Sequence, residues 1–323
     1  MKCEMSLGVE NRFLGALVGL AVGDALGAPF EGREAGAFRA EGMVPGGPRR
    51  LEAGQWTGAT SMALCLAASI IESGGFKATD QMDRYLRWRD QGYMSSTGTC
   101  FGIGGTTDAA LSRYAANGEP YAGSTDERSA DNGSLMRLAP ISMYLVHDAG
   151  RAKELAAQMS KTTHAATEAV DCCRYFAGLL VGALRGDSKE LLLSDLYSPV
   201  YNYWLFQHVA LTRRVDTIAR GVYKSKHGGE LPATRYVIDT MEAALWAFHQ
   251  SSSFREGALL AVHLGNDTGT TAAVYGQLAG AHYGVEGIPS EWLGTLAERE
   301  LIETLARRLL HATNQSIRHF VEL

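Results

Sequence analysis

The stretch FLGALVGLAVGDALGAPF, residues 13–30, is apolar at nearly every position, yet small residues recur through it and one aspartate, Asp24, interrupts it. The composition predicts a helix over residues 12–27. Glycine at this density marks close helix contacts, tight turns or backbone that faces a ligand. The run is too short and too interrupted for a bilayer span, so no membrane partner is expected.

The rest of the chain points the same way. It has 323 residues, 46% hydrophobic and 20% charged, with 37 glycines against 8 prolines and a net charge of −5. Nothing basic is clustered, so no nucleic-acid partner is expected. The cysteines at 3, 65, 100, 172 and 173 lack metal-finger spacing, and the N-terminus MKCEMSLGVENRF has no apolar signal core. A reduced, cytoplasmic protein is the expectation.

Helical periodicity dominates elsewhere. Residues 60–73 are good helix formers that end at Gly74-Gly75, and residues 79–90 begin at a Thr or Asp cap. Further helices are expected at 106–116, 133–146, 150–159, 165–185, 203–222, 236–249, 254–263, 270–283 and 293–313, with turns at 43–48 and 227–232. Alternating strand patterns are scarce. One all-α domain over residues 1–323 is the reading, with 286–323 packing as a C-terminal helix on the rest. Cys172-Cys173, Trp204, Phe206 and Trp246 lie on helical runs and read as core, while the Arg/Glu-rich segment 297–308 reads as a solvated amphipathic face.

Polar or glycine residues cluster at several helix ends. Asp24 reads as a buried cap or ion-pair partner, and Glu31, in the turn after Pro29, reads equally as functional or structural. The segment QWTGATSMAL, 55–64, frames a helix start with no side chain there to do chemistry. Asn132-Gly133-Ser134 opens a helix whose free N–H groups would cradle an anion, although such N-termini are common. Asp267, Thr268, Thr270 and Thr271 crowd another helix start; they suit a hard cation such as Mg²⁺, but an N-cap role for Asp267 is the simpler reading. His164, in KTTHAATEAV, reads either as a structural group or as part of a cleft wall.

In order and spacing these stretches resemble the ADP-ribosylglycohydrolase family. The resemblance runs from about residue 11 to about residue 285 and is carried by GALVGLAVGDALGAPFE, WTGATSMAL, FGIGGTT, NGSLMRLAP, Thr163-His164 and GNDTGTTAAVYGQLAGA. It implies a compact orthogonal all-α bundle with a cleft for two Mg²⁺ ions, which activate water and hold the ribose while the bond to a protein side chain, often arginine, is cleaved. It further implies an ADP-ribose-type small-molecule ligand or an ADP-ribosylated protein as partner. The ligand-binding positions would be Asn132, Gly133, Ser134, His164, Arg235 and Tyr236, with Glu31 catalytic.

This chain departs from that pattern where the metals belong. Of the implied metal ligands, Glu31, Thr57, Asp267 and Thr270 remain. Gly58, Ala59 and Gly269 stand where the family has aspartates, and Gly102 replaces a further acid. Asp131 stands where the family usually has glycine, and Thr234-Arg235-Tyr236 replaces a Ser-Gly-Tyr loop. The expected cofactor is therefore none, or weakly bound Mg²⁺. The leading expectation is an impaired or inactive hydrolase that still binds an ADP-ribose-like ligand. An active metal-independent or weakly Mg²⁺-dependent hydrolase using Glu31, Asp267 and His164 is the alternative. A non-catalytic structural or partner-binding role, which the resemblance also allows, is the third.

Overall fold

The structure, a computed structural model, describes residues 8–200 and 210–321. Among these the fold is all-α. Its helices are α1 (Val9–Gly27), α2 (Gly58–Ser73), α3 (Ala78–Gln91), α4 (Gly105–Asn117), α5 (Ala139–Tyr144), α6 (Ala149–Lys161) and α7 (Thr167–Arg185). There follow α8 (Lys189–Leu192), α9 (Arg213–Ala219), α10 (Val237–Gln250), α11 (Phe254–His263), α12 (Thr268–Tyr283), α13 (Ser290–Thr295) and α14 (Arg299–Val321). Trp204 and Phe206, Cys3, and most of the first half of the helix expected at 203–222 lie outside the described residues.

The opening stretch sets the architecture. α1 is buried along its length, and its glycines fall every four residues, so they line one face of the helix. That face meets α12. A methyl at Gly19 would lie 2.5 Å from the Gly276 carbonyl oxygen, and methyls at Gly15, Gly23 and Gly27 would strike the backbone at Gly280, Ala272 and Thr268. Two helices therefore touch backbone to backbone at the centre of the core, and α12 answers with its own small residues. By length and hydropathy the segment Val9–Phe30 does qualify as a bilayer span, contrary to the expectation above; here it is 94% buried inside the protein.

Two expected helices are broken. The run 133–146 becomes a 3₁₀ turn, Leu135–Arg137, followed by α5. Gln277 of α12 reaches in, accepting from the Ala139 N–H at 2.7 Å and donating to the Leu135 and Met136 carbonyls. Pro140 reinforces the break because it has no N–H for a continuing helix. The run 293–313 divides into α13 and α14 because residues 296–298 dock elsewhere. Ala297 donates its N–H to Gly54, its carbonyl accepts from the Trp56 indole at 3.1 Å, and Glu298 takes a positive φ of 49°. α14 packs on α1, α2 and α5 through Ile302, Leu305, Ala306 and Leu309, all buried. Cys172, Cys173 and Trp246 are core residues as expected.

Candidate active site

Four loops converge where α1, α2, α4 and α12 start or end. The turn after α1 and the turn before α12 are tied by reciprocal backbone bonds: Gly32 N–H to the Asn266 carbonyl at 2.8 Å, and Asn266 N–H to the Arg33 carbonyl at 2.7 Å. This pairing sets Glu31 beside Asp267. Gly265 must be glycine here, because its φ is +76° and a Cβ would lie 2.6 Å from the Ala35 nitrogen. The 130s loop joins through Asn132, whose N–H donates to the Arg235 carbonyl at 2.9 Å and whose Nδ2 donates to Asp267 Oδ2 at 2.7 Å.

Asp24 serves α2. It is fully buried and accepts four hydrogen bonds, from the N–H and hydroxyl of both Thr57 and Thr60, at 2.7 to 3.0 Å. A residue of α1 thus caps the N-terminus of α2, the structural role expected for it. Burial pushes the Asp24 carboxyl up, and the four donors oppose that shift.

The loops enclose a cleft of about 340 Å³, whose lining includes Glu31, Thr57, Ala59, Gly102, Asn132, Gly133, Arg235, Asp267 and Thr270. Sequence-predicted positions far apart in the chain are therefore brought together. Three are not. Ser134 is fully buried and accepts from Ser160, and Tyr236 turns to a neighbouring groove, where it donates to Glu168 and accepts from Arg214 at 2.7 Å. His164 lies beneath the floor with no exposed surface, its ring under Gly133, where a Cβ would come within 2.7 Å of it.

His164 belongs to a buried relay. Arg137 Nη2 donates to Thr163 Oγ1 at 2.6 Å, and Thr163 Oγ1 lies 2.7 Å from His164 Nδ1. On the other side of the ring, His164 Nε2 is in contact with Asp131. Burial holds the imidazole below its ordinary pKa. Asp131 also accepts from Thr106 at 2.7 Å. Burial alone would raise its carboxyl, but the His164 and Thr106 bonds hold it below the ordinary value. Asp131, which the resemblance set beside Asn132, lines the cleft; so does Arg49, which nothing in its local sequence marked.

The Glu31 carboxyl is also pushed up. Burial first, then the Asp267 charge, lift it to about 7, against the pull of Arg235 and Arg49. Arg235 Nη2 lies 3.2 Å from Glu31 Oε1 with 67% of its side chain exposed, so it sits over the carboxylate like a lid.

This donor set does not suit two divalent ions. Mg²⁺ demands about six oxygens in near-octahedral array, usually with carboxylates among them. Glu31 and Asp267 are the acids left at the implied metal positions. The former is bridged to Arg235, the latter is held by Asn132, and the Thr57 hydroxyl donates to Asp24. Two guanidinium groups share the cleft and oppose a dication. Among the described residues, no group of three or more His, Cys, Asp or Glu side chains is arranged to hold a metal. The vacated positions differ in shape. A Cβ at Gly269 would have nothing nearer than 3.6 Å, whereas one at Gly58 would press the Trp88 ring at 3.1 Å and one at Gly102 would meet Arg49 at 2.7 Å.

Comparison with known proteins identifies the family and the fold. A model of the family described as ADP-ribosylglycohydrolase matches residues 5–318. The chain is 39% identical over 301 residues to the ADP-ribosylarginine hydrolase Tri1 of Serratia proteamaculans, an alignment covering 93% of this chain and 79% of that protein. It is 30% identical over 305 residues to the ADP-ribosyl-(dinitrogen reductase) glycohydrolase of Rhodospirillum rubrum, covering 91% and 94%. A solved structure titled ADP-ribosylglycohydrolase-related protein complex superposes with a TM-score of 0.82 at 43% identity, covering 94% of this chain and 99% of that one.

Proposed function

The chain belongs to the ADP-ribosylglycohydrolase family, and from that premise we propose that its cleft binds an ADP-ribose-type ligand while metal-dependent hydrolysis is impaired. The observation that carries this reading is the pairing of an intact frame with a depleted donor set. The turns that set Glu31, Asn132 and Asp267 are fully bonded, while Gly58, Ala59, Gly102 and Gly269 offer no oxygen from a side chain. The ligand is the ADP-ribosyl group, free or carried on a protein, the chemistry on which the two named relatives act.

Thermal unfolding and turnover test the proposal together. A ligand that binds only the folded state raises its apparent stability. ADP-ribose is expected to raise Tm, millimolar Mg²⁺ is expected to leave it unchanged, and ADP-ribosyl-arginine is expected to release no ADP-ribose. Mg²⁺-dependent turnover would overturn the impairment; absence of any ADP-ribose shift would overturn the binding.

One observation favours a second reading. Glu31, lifted to about 7, holds a proton about half the time at neutral pH, which suits a general acid without a metal. On that reading the chain hydrolyses ADP-ribosyl linkages in EDTA, and Glu31→Gln abolishes the reaction.

A further inference from the structure

Each cleft-lining acid already has a partner: Glu31 has Arg235, Asp131 has His164 and Thr106, and Asp267 has Asn132. Arg49 does not. It lines the cleft half-buried and makes no hydrogen bond or ion pair to any described residue, its charge acting on Glu31 only through space. Its guanidinium rests against the Phe101 ring at 5.7 Å and beside Gly102.

The loop that carries it is held in place. Gly46 and Leu51 exchange both backbone bonds, at 2.8 and 3.0 Å, and Leu51 is buried. Gly47, at φ +76°, lies so close to Pro29 that a Cβ would be 2.8 Å from the proline Cα. The arginine thus enters the cleft from a base anchored two residues from Glu31. Gly102, with φ +70°, leaves the space that Arg49 fills, since any side chain there would meet the guanidinium.

We propose that Arg49 makes this cleft a receptor for a phosphoryl anion that needs no divalent ion. The inference rests on the reading of the cleft as an ADP-ribose site and names the group that would hold the ligand's diphosphate. A planar guanidinium presents a fork of donors that matches phosphate oxygens, and its charge is fixed at any working pH. With glycine at 102, where the resemblance implies an acid, no carboxylate there faces Arg49, and its guanidinium is left for an anion.

Isothermal titration of the full chain at low salt tests this, with ADP-ribose and inorganic pyrophosphate as separate probes in EDTA. Both are expected to bind. Arg49→Gln is expected to weaken each by at least about tenfold, the scale of a lost charge-assisted pair. Arg49→Lys should retain part of the affinity. Gly102→Asp, which sets a carboxylate against Arg49, should weaken both probes as well. Arg39→Gln, whose parent pairs with Glu41 on the open surface, serves as control and should bind like the parent. Adding Mg²⁺ to the ADP-ribose titration should not tighten it.

If ADP-ribose binds the parent and Arg49→Gln alike, Arg49 is not the receptor, but the cleft remains an ADP-ribose site. If ADP-ribose binds and pyrophosphate does not, the phosphoryl assignment fails. Binding that requires Mg²⁺ overturns the inference, and binding of neither probe overturns it together with the reading it rests on.

Discussion

Substitution at Gly269 separates packing from charge in the depleted site. The residue is second in α12, and a Cβ there would make only ordinary contacts, the nearest atom lying at 3.6 Å. Gly269→Ala should therefore gain part of the helix preference of alanine over glycine, about 0.5–1 kcal/mol. Unfolding entropy of about 2.1 cal/mol/K per residue over 323 residues makes 1 kcal/mol worth about 1.5 °C. The expected rise is about 1 °C.

Gly269→Asp adds the same Cβ and a favourable charge at a helix N-terminus, together about 1–1.5 kcal/mol. Against this stands repulsion. The new Cβ would lie 3.6 Å from Asp24 Oδ1 and 3.7 Å from Glu31 Oε2, so the carboxylate falls within reach of both. Like charges about 4 Å apart at an effective dielectric near 20 repel by about 4 kcal/mol. Repulsion wins wherever Glu31 is ionised. In EDTA at pH 8 the variant should lose about 3 kcal/mol net, a fall of about 4–5 °C. At pH 5, where Glu31 holds its proton, the deficit should shrink, because the repulsion from Glu31 is then absent. Calorimetry of parent, Ala and Asp variants at both pH values reads the differences. Were Gly269→Asp as stable as Gly269→Ala in EDTA at pH 8, the claim that crowded acids burden this cleft would be wrong.

Other substitutions probe other links. Glu31→Gln should stabilise the protein above pH 7. The folded-state carboxyl at about 7 lies above its ordinary 4.5, so the folded state binds the extra proton and the parent loses stability as pH rises between those values. At about 1.4 kcal/mol per pH unit the ceiling is about 3 kcal/mol, reduced by the lost Arg235 pair; denaturant melts at pH 4 and pH 8 should show the gain only at pH 8. Gly23→Ala should cost at least about 3 kcal/mol, since its methyl would strike the Ala272 carbonyl and part α1 from α12; a Tm within 1 °C of the parent would contradict the close contact. Asp24→Ala should cost about 3–5 kcal/mol by orphaning four buried donors, and hydrogen exchange should report fraying confined first to the start of α2.

The helices were legible because their periodicity is local, and so were the turns whose residues bring Glu31, Thr57, Asn132 and Asp267 together. What escaped was set by partners distant in sequence. The break before α5 depends on Gln277, well over a hundred residues away, and the break between α13 and α14 depends on Gly54 and Trp56. No local pattern announces such docking. His164 misled for a related reason: it is buried behind Gly133, a residue distant in sequence, which only the fold brings over it. Arg49 escaped because an arginine in a proline- and glycine-rich turn reads as solvated surface until the fold closes over it.

The frame survives the loss of the acids because the two sets of residues do different work. Asp24, Asn132, Gln277 and the backbone pair at Gly32 and Asn266 hold the loops through hydrogen bonds. The vacated positions take no part in those bonds. An acid at 58, 59 or 269 would add charge to a pocket already holding Glu31 and Asp267, and without a cation that charge opposes folding. Removing them therefore relieves strain while leaving the loops where they were. On the proposed reading, the shape of the cleft is no guide to its chemistry: the family fold is kept while cation binding is exchanged for anion binding through a few positions. The measurable signature of that exchange is ligand affinity that survives EDTA yet falls with rising salt, because guanidinium–phosphate attraction is screened by ions whereas a tightly chelated dication would answer to the chelator first.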